Sequence, residues 1–138
     1  MVAATQVETF GQNGPVAVIT LTLVADSTDW SFINAALTTK FSGRMICLAT
    51  NPGTPAPQSN YDIVLNSSDG VDMLKGAGAN RHTSNSEHDP IEFSANNRTG
   101  VPVAAEDELT LVVTNNNVNS AEVVVKLYIE GALRPAGQ

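Results

Sequence analysis

The feature that most constrains this chain is a period of two in its apolar residues, which returns in separate segments. The alternation covers residues 19–23, 61–65, 109–113 and 123–129. Side chains two apart lie on one face of a β-strand, so each segment is predicted to be a strand with one buried face. Residues 41–50, FSGRMICLAT, are apolar on both faces and predict a central strand.

Turn signals separate these segments and limit how the strands can connect. They are Asn13-Gly14-Pro15 and residues 51–57, 67–70, 96–100 and 115–120. Most intervals are too short for the helical crossover that parallel strands need. The pattern therefore predicts an all-β fold, an antiparallel sandwich or barrel.

Residues 27–40, STDWSFINAALTTK, leave two alternatives open. Trp30, Ile33 and Leu37 lie near helical spacing, and Asp29 is a suitable helix cap. The same segment fits a strand with a loop equally well. We therefore expect at most one short helix in the fold.

The chain of 138 residues is expected to form one domain. We divide it into an extended N-terminal arm, residues 1–15, and a single β-sandwich domain, residues 16–138. The arm has neither the basic nor the apolar region of a secretory signal, and we expect a native start there. No segment approaches the roughly 20 apolar residues of a membrane span, so no membrane partner is expected.

The net charge is −7, and no basic patch interrupts it. Binding to nucleic acid is therefore not expected, because phosphate backbones attract clustered Lys and Arg. Cys47 is the single cysteine, which excludes an intrachain disulfide and a multi-cysteine zinc site. Its apolar neighbours predict a small buried hydrophobic residue.

Residues 67–83, SSDGVDMLKGAGANRHT, carry the most chemistry in the sequence. Asp69-Gly70-Val71-Asp72 resembles part of a calcium loop. With Gly70 at position 6 of an EF-hand loop, however, Leu65 and Gly76 would occupy the first and last ligand positions. The segment therefore favours a turn in which aspartates accept hydrogen bonds from nearby backbone N–H groups.

Gly76-Ala77-Gly78 resembles the start of a dinucleotide-binding fingerprint. The third glycine of that pattern would fall on Arg81, and no strand–helix–strand unit surrounds it. The glycines instead favour positive φ angles and close packing.

His82, Glu87, His88 and Asp89 are residue types that bind zinc. The histidines are six residues apart in a polar segment, which favours a solvated loop. No Gly-x-Ser-x-Gly elbow occurs. The catalytic carboxylates of a hydrolase can come together in the folded chain without being close in the sequence, so a hydrolase stays a third alternative for the function. We expect that the chain is not an enzyme and that it binds no metal and no cofactor.

Two stretches resemble small structural proteins of tailed bacteriophages. Residues 52–81 share with them a Pro-rich turn, a Tyr-Asp-Ile/Val-x-Leu strand, an acidic Gly-x-Asp, a Leu-x-Gly-x-Gly and an Asn/Asp-Arg. Those positions are Tyr61, Asp62, Ile63, Leu65, Asp69, Gly70, Asp72, Leu74, Gly76, Gly78, Asn80 and Arg81. Residues 101–129 resemble the C-terminal hairpin of the same group.

The resemblance implies a jelly-roll-like sandwich that acts as a capsid cement or decoration protein. Such a protein binds the major capsid protein on the outside of the virion, forms homodimers or homotrimers and is made in the cytoplasm of the host bacterium. It stabilises contacts between capsid subunits and carries no catalytic residues.

The residues agree with a role in assembly. Val124 and Tyr128 lie opposite the predicted buried face of 123–129, and Ile46 and Leu48 lie opposite Met45 and Cys47. Surplus apolar faces of this kind mark interfaces, unless a second sheet covers them.

The arm adds Val2 and Phe10 as candidate contacts with the capsid or with a second copy. Asp62, Asp69, Gly70, Asp72, Gly76, Gly78 and Arg81 are expected to shape the loop, with the aspartates binding backbone or Arg81. The alternative function is a carbohydrate-binding β-sandwich module displayed on the virion, which would use Trp30, Tyr61 and Tyr128.

Overall fold

The computed structural model describes residues 3–93, 98–99, 101–103 and 108–134, and these contain β-strands and no helix. The strands are β1 Thr5–Asn13, β2 Val16–Val24, β3 Ala35–Ala36, β4 Lys40–Pro52, β5 Asp62–Asn66, β6 Glu87–Pro90, β7 Glu92–Phe93, β8 Arg98–Thr99, β9 Val101–Val103, β10 Thr110–Thr114 and β11 Glu122–Arg134. All described pairings are antiparallel. The predicted all-β antiparallel sandwich is confirmed.

The two main sheets differ in size. The large sheet has the order β1-β2-β11-β4-β6, and β9 also pairs with β4. The small sheet has the order β3-β10-β5, and β7 and β8 form a separate hairpin. From β2 to β6 each successive strand lies in the other main sheet. The chain thus crosses repeatedly between the layers, as expected for a jelly-roll-like sandwich.

The core lies between the sheets and takes one face from each long strand. In β2, for example, buried Ile19, Leu21 and Leu23 alternate with more exposed residues. The same alternation continues on β11 in the large sheet, and on β5 and β10 it supplies the facing layer, which confirms the period-two prediction. The strand residues of the core are Ile19, Leu21, Leu23, Ala35, Met45, Leu48, Ile63, Leu65, Leu111, Val113, Val123, Val125, Leu127 and Ile129.

A β-bulge in β4 changes which of its side chains reach the core. The pairing with β11 shifts between Cys47 and Met45, so Ile46 is an extra residue. Because the extra residue moves the alternation by one, Met45 and Leu48 are both fully buried. Placing Leu48 with Ile46 on a surplus face was therefore wrong, since alternation alone does not reveal a bulge.

Residues 5–13, expected to belong to an arm outside the sandwich, are extended but form β1. This strand pairs with β2 over its whole length, from Thr5 opposite Val24 to Asn13 opposite Val16. The two-residue turn between them has Gly14 at a φ of 62°, a conformation that suits glycine. These residues are thus an edge strand of the large sheet, and Val2 lies outside the described residues.

Residues 27–40 form a loop and a short strand. A carboxylate oxygen of Asp26 accepts a hydrogen bond from the Thr28 backbone N–H at 2.7 Å, which makes a tight turn. Trp30 has a φ of 56°, outside the helical region, and β3 follows. The helix alternative is therefore wrong, and the alternative of a strand with a loop is confirmed.

Candidate functional site

The face of the large sheet that points away from the core carries the candidate interaction surface, and we call it the outer face. It is built from alternate residues of β1, β2, β11 and β4, which the strand register aligns in rows. Its central members are Val7, Thr9, Gly11, Val18, Thr20, Thr22, Cys47, Ala49, Asn51, Val124, Lys126 and Tyr128, and the register also places the charged Glu122, Glu130 and Arg44 on this side, level with the two ends of β2.

Small and uncharged side chains dominate the outer face. Val18, Val124 and Tyr128 are half-buried, and Val7 is 58% exposed. Lys126 is the one charged residue among the central members of this face, and the other charges lie nearer its ends. Depletion of charge around an aromatic side chain is typical of the centre of protein interfaces. The outer face therefore has the composition of a contact surface.

A shallow hollow of about 550 Å³ indents the outer face beside Tyr128. Gly11 and Val18 line it, and a Cβ added at Gly11 would meet only a Val18 methyl carbon at 3.8 Å. On its other side, the Tyr128 ring lies near His88, with ring centroids 6.0 Å apart. The hollow is open to a side chain from a second molecule.

The sequence-predicted interface residues do not all lie on one surface. Val124 and Tyr128 belong to the outer face. Phe10 is opposite the core residue Ile19, so its side chain points to the other side of β1, where it is 48% exposed. Phe10 is therefore available beside the edge of the sandwich rather than on the outer face.

Glu8 is the single charged residue of β1, and its partly buried carboxylate bends towards the segment between β3 and β4. It accepts hydrogen bonds from the backbone N–H groups of Thr38 at 2.9 Å and Thr39 at 2.7 Å. Burial alone would raise the pKa of Glu8, but the hydrogen bonds from Thr39 and Thr38 outweigh it and lower the pKa. The carboxylate thus ties β1 to the connection between β3 and β4.

The loop between β5 and β6 is organised around Asp72. One carboxylate oxygen accepts hydrogen bonds from the backbone N–H groups of Leu65 at 3.1 Å and Leu74 at 3.0 Å. The other accepts the N–H of Gly76 at 3.1 Å. This pattern makes a series of turns, and it leaves the carboxylate committed to the backbone rather than to a metal.

The other two loop aspartates have different surroundings. Asp62 accepts a hydrogen bond from the Asn80 backbone N–H at 2.8 Å and so closes the loop onto β5. Asp69 is exposed at a turn in which the Gly70 N–H donates to the Ser67 carbonyl at 2.9 Å. Gly70 has a φ of 79°, which this turn requires and which glycine accommodates.

Gly78 marks the closest approach of the loop to β5. The Ile63 N–H donates to the Gly78 carbonyl at 2.8 Å. A Cβ on Gly78 would lie 2.1 Å from the Ile63 carbonyl oxygen, so the position requires glycine. Gly76 differs, because it has open space around it and a φ of 87°. Neither glycine opens a helix, so the fingerprint for a bound dinucleotide is absent here.

Arg81 is only 2% exposed and joins the loop to the large sheet. Its guanidinium donates to the Thr50 hydroxyl at 2.8 and 3.1 Å and to the Ala77 carbonyl at 2.8 Å. It forms an ion pair with Asp89 and lies 3.6 Å from a carboxylate oxygen of Glu87. Arg81 therefore connects β4, β6 and the loop through one buried side chain.

The partners of Arg81 differ from the expected loop aspartates. Asp62 and Asp72 bind backbone N–H groups, and the ion pairs use Glu87 and Asp89 of β6 instead. These two residues were expected in a solvated loop. Their spacing of two was the available signal, because it places both carboxylates on the same face of a strand.

The residue types that could bind zinc do not converge. His82 Nδ1 accepts hydrogen bonds from the backbone N–H groups of Ser84 at 3.0 Å and Asn85 at 2.9 Å. His88 lies beside Tyr128 on the other side of the sheet. Among the described residues, no group of three or more His, Cys, Asp or Glu side chains could hold a metal ion.

Cys47 is half-buried, so the prediction of a buried residue there was wrong, and Tyr61 is better shielded from solvent. Burial raises the pKa of the Cys47 thiol, with the nearby Asp89 carboxylate adding to the effect, so the reactive thiolate is disfavoured. Tyr61 is fully buried, and burial raises the pKa of its hydroxyl. Tyr61 therefore cannot stack on a carbohydrate, as the alternative function required.

A second hollow, of about 350 Å³, lies beside Trp30 and was not foreseen from the sequence. Trp30 is 47% exposed, and its positive φ is unusual for a bulky residue. The Asn116 side-chain amide donates to the Trp30 carbonyl at 2.8 Å and holds this conformation. Asn34, Thr114 and Asn115 complete a lining of amides and a hydroxyl beside the indole.

Comparison with protein-family models, with curated proteins and with solved structures found no match. In the described part of the chain, no helix is long and apolar enough to cross a membrane.

Proposed function

We propose that this chain is a structural protein of a virion, a cement or decoration protein that binds the outside of a phage capsid. The observation that carries the proposal is the outer face, where Val7, Val18, Val124 and Tyr128 lie on one sheet with little charge between them. Its work is to hold neighbouring major capsid subunits together, without catalysis.

The scaffold suits that work because its exposed loop is tied down. Asp72 fixes the loop through three backbone N–H groups, and Arg81 joins it to β4 and β6. A rigid body loses little conformational entropy when it binds, so more of its contact energy appears as affinity. Repetition of weak contacts over a symmetric shell adds avidity.

The resemblance of residues 52–81 and 101–129 to small phage structural proteins points to the same class of partner. The described strands of these stretches lie in both sheets, so the resemblance involves the scaffold as a whole.

The test uses capsid shells assembled from the major capsid protein encoded near the gene for this chain. The shells are sedimented with the purified protein and imaged with and without it. We expect added density at regular positions on the outer surface. Failure of the wild-type protein to bind such shells would contradict the proposal.

A matched pair of variants locates the contact. Val124 and Val64 are both half-buried valines on strands, but they lie on the outward sides of the large and the small sheet. Val124→Lys should weaken capsid binding by about tenfold or more, because it desolvates a charge at the contact. Val64→Lys should leave it unchanged. Equal binding by both variants would exclude the outer face.

A second candidate function, carbohydrate binding, is favoured by the hollow at Trp30. An exposed indole can stack on the apolar face of a sugar ring, and the amides of Asn34 and Asn115 can bond its hydroxyls. Trp30 is the single tryptophan, so its fluorescence should shift on titration with host-surface oligosaccharides. Calorimetry on Trp30→Ala should show no binding. An unchanged emission spectrum across the oligosaccharides would contradict this function.

A further inference from the structure

The hollow beside Trp30 lies where the chain leaves the edge of the small sheet. β3 pairs with β10 at two positions, Ala35 opposite Leu111 and Ala36 opposite Thr110. Residues from the segment 29–34, which precedes β3, line the hollow on one side, and residues 112–116 line it on the other. Two stretches of chain thus face each other across a gap that no strand pairing closes in the described part of the chain.

The strand register shows that Val113 directs its backbone groups into this gap. The Ile63 N–H donates to the Gly78 carbonyl at 2.8 Å, so the backbone of Ile63 points away from β10. Val113 is opposite Ile63, and two residues opposite each other in an antiparallel pair point either towards each other or away from each other. The backbone N–H and C=O of Val113 therefore point away from β5 and towards the hollow, which Val113 lines.

The bonds on the other side of β10 agree with this direction. The Leu37 N–H donates to the Leu109 carbonyl at 2.9 Å, and backbone direction repeats every two residues, so Leu109, Leu111 and Val113 face the same way. The first two have partners in residues 35–37, whereas within the described residues no backbone hydrogen bond reaches Val113 from this side. Val113 thus offers one donor and one acceptor to a ligand.

The side chains around the hollow are mostly polar, and one of them is acidic. Asn34 and Thr114 are exposed, and neither side chain has a hydrogen bond within the described part of the chain. One carboxylate oxygen of Asp29 accepts hydrogen bonds from the Ser31 N–H at 3.0 Å and the Ser31 hydroxyl at 2.6 Å. Among the described residues that line the hollow, no Lys, Arg or His balances this carboxylate.

We infer that this hollow binds a neutral saccharide and that Asp29 excludes acidic ones. The inference rests on carbohydrate binding, the second candidate function above, and names its class of ligand. The apolar face of a sugar ring stacks on the Trp30 indole. One ring hydroxyl donates to the Val113 carbonyl, and a neighbouring hydroxyl accepts from the Val113 N–H. The Asn34 amide is available to a third hydroxyl.

Size and charge select this ligand. A hollow of about 350 Å³ is near the small end of ligand pockets, which suits a short oligosaccharide. An acidic sugar would bring its carboxylate beside Asp29, in a chain whose net charge is −7, and like charges repel. An extended peptide fits less well, because strand addition uses a row of backbone groups and the gap presents those of one β10 residue.

The first experiment uses the purified protein without any capsid. Trisaccharides of glucose, galactose and mannose are each compared with the trisaccharide of the matching uronic acid, which carries a carboxylate at C6. Titrations followed by Trp30 fluorescence should show binding of a neutral trisaccharide and about tenfold weaker binding of its acidic counterpart. In NMR spectra the Val113 amide should shift on binding, whereas the amide of Leu111, which is paired with Ala35, should not.

The second experiment tests the selecting charge. Asp29→Asn keeps an oxygen that accepts the bonds from Ser31 but removes the charge. The ratio of the acidic to the neutral dissociation constant should fall from about tenfold towards one. Asp69→Asn is the matched control, because it removes the same charge from an exposed turn elsewhere, and it should leave the ratio as in the wild-type protein.

The outcomes separate this inference from the function on which it rests. No response of Trp30 to any neutral trisaccharide would contradict carbohydrate binding itself, and the inference with it. Equal binding of neutral and acidic trisaccharides, or a ratio that Asp29→Asn and Asp69→Asn change alike, would overturn the inference and leave carbohydrate binding standing. A response of Trp30 without a shift of the Val113 amide would also overturn it, because the sugar would then lie outside the gap.

Discussion

The two edges of the large sheet differ in how well they are protected against pairing with a further strand. At one end β6 has four residues, Glu87–Pro90, and its two carboxylates are paired with the buried Arg81. At the other end β1 has nine residues and no ion pair among its described contacts. One sheet thus has a closed edge and an open edge, and the closed edge shows that the fold can protect an edge where none is needed for binding.

The closed edge combines several protective features. Pro90 in β6 and Pro102 in β9 both lie against β4, and neither has a backbone N–H to offer a further strand. Short length and charged side chains also oppose pairing. These features lie beside the loop that Arg81 holds, so protection of the edge and rigidity of the loop share the same residues.

The largest expected effect on stability comes from removing Arg81, which holds the β6 edge to the loop. Arg81→Met removes the buried guanidinium and leaves Thr50 and the Ala77 carbonyl without their donor. We expect the free energy of unfolding to fall by about 2–3 kcal/mol. This loss is at the low end of the range for breaking a buried ion pair, because Asp89 and Glu87 are partly exposed to solvent. Urea denaturation followed by Trp30 fluorescence measures it.

Arg44→Met is the control for this substitution. Arg44 is an exposed arginine of β4, so its replacement should change stability by no more than about 0.5 kcal/mol. If both arginine variants unfold at the same urea concentration, the contacts of Arg81 do not stabilise the β6 edge.

A smaller effect is expected from a methyl group added on each side of the molecule. Gly78→Ala places a Cβ against the Ile63 carbonyl and should cost about 2 kcal/mol, because the backbone of β5 must shift. Gly11→Ala, on β1, meets only an ordinary contact with Val18 and should be nearly neutral. Thermal unfolding at concentrations low enough for a monomer compares them, and equal losses would show that the two sides are packed alike.

Much of the fold could be predicted from the sequence because the long strands follow a simple alternation. Residues 19–23, 61–65, 109–113 and 123–129 all became core strands. The bulge at Ile46 was not predictable, because no residue type there marks it. β1 was missed although Asn13-Gly14-Pro15 signals a hairpin, since only weak apolar alternation precedes that turn.

The candidate site was less accessible to sequence reasoning. Val124 and Tyr128 follow from the alternation of β11, but their neighbours Val18 and Gly11 depend on strand order, which long-range pairing decides. The partners of Arg81 also depend on tertiary structure, because Thr50 lies 31 positions away. Spacing in the sequence cannot specify such contacts.

A modest effect is expected where β1 is tied to the body of the molecule. Glu8→Gln removes a carboxylate that accepts hydrogen bonds from Thr38 and Thr39, and should cost about 1 kcal/mol, since the side chain is only partly buried. Its folded-state pKa is lowered, so the stabilisation is present above the ordinary pKa of 4.5 and is lost as the pH falls through the folded pKa.

The pH dependence separates the charge of Glu8 from its shape. The wild-type protein should lose stability faster than Glu8→Gln between pH 5 and pH 3, as judged by urea midpoints at each pH. Parallel curves for the two proteins would mean that the carboxylate is not preferentially stabilised in the folded state.

The smallest expected effect on unfolding comes from Val7→Lys, within about 0.5 kcal/mol, because Val7 is 58% exposed on an edge strand. Its amide hydrogen exchange is more informative. Asn13 and Val16 face each other across the two-residue turn, so the backbone of Thr9 and Gly11 is directed towards β2 and that of Gln6, Glu8 and Phe10 outward. The amides of Thr9 and Gly11 should be protected by β2, and the outward amides should exchange like exposed ones. Protection of the outward amides in the variant would mean that the edge is already covered within one chain, and the contrast between an open and a closed edge would then fail.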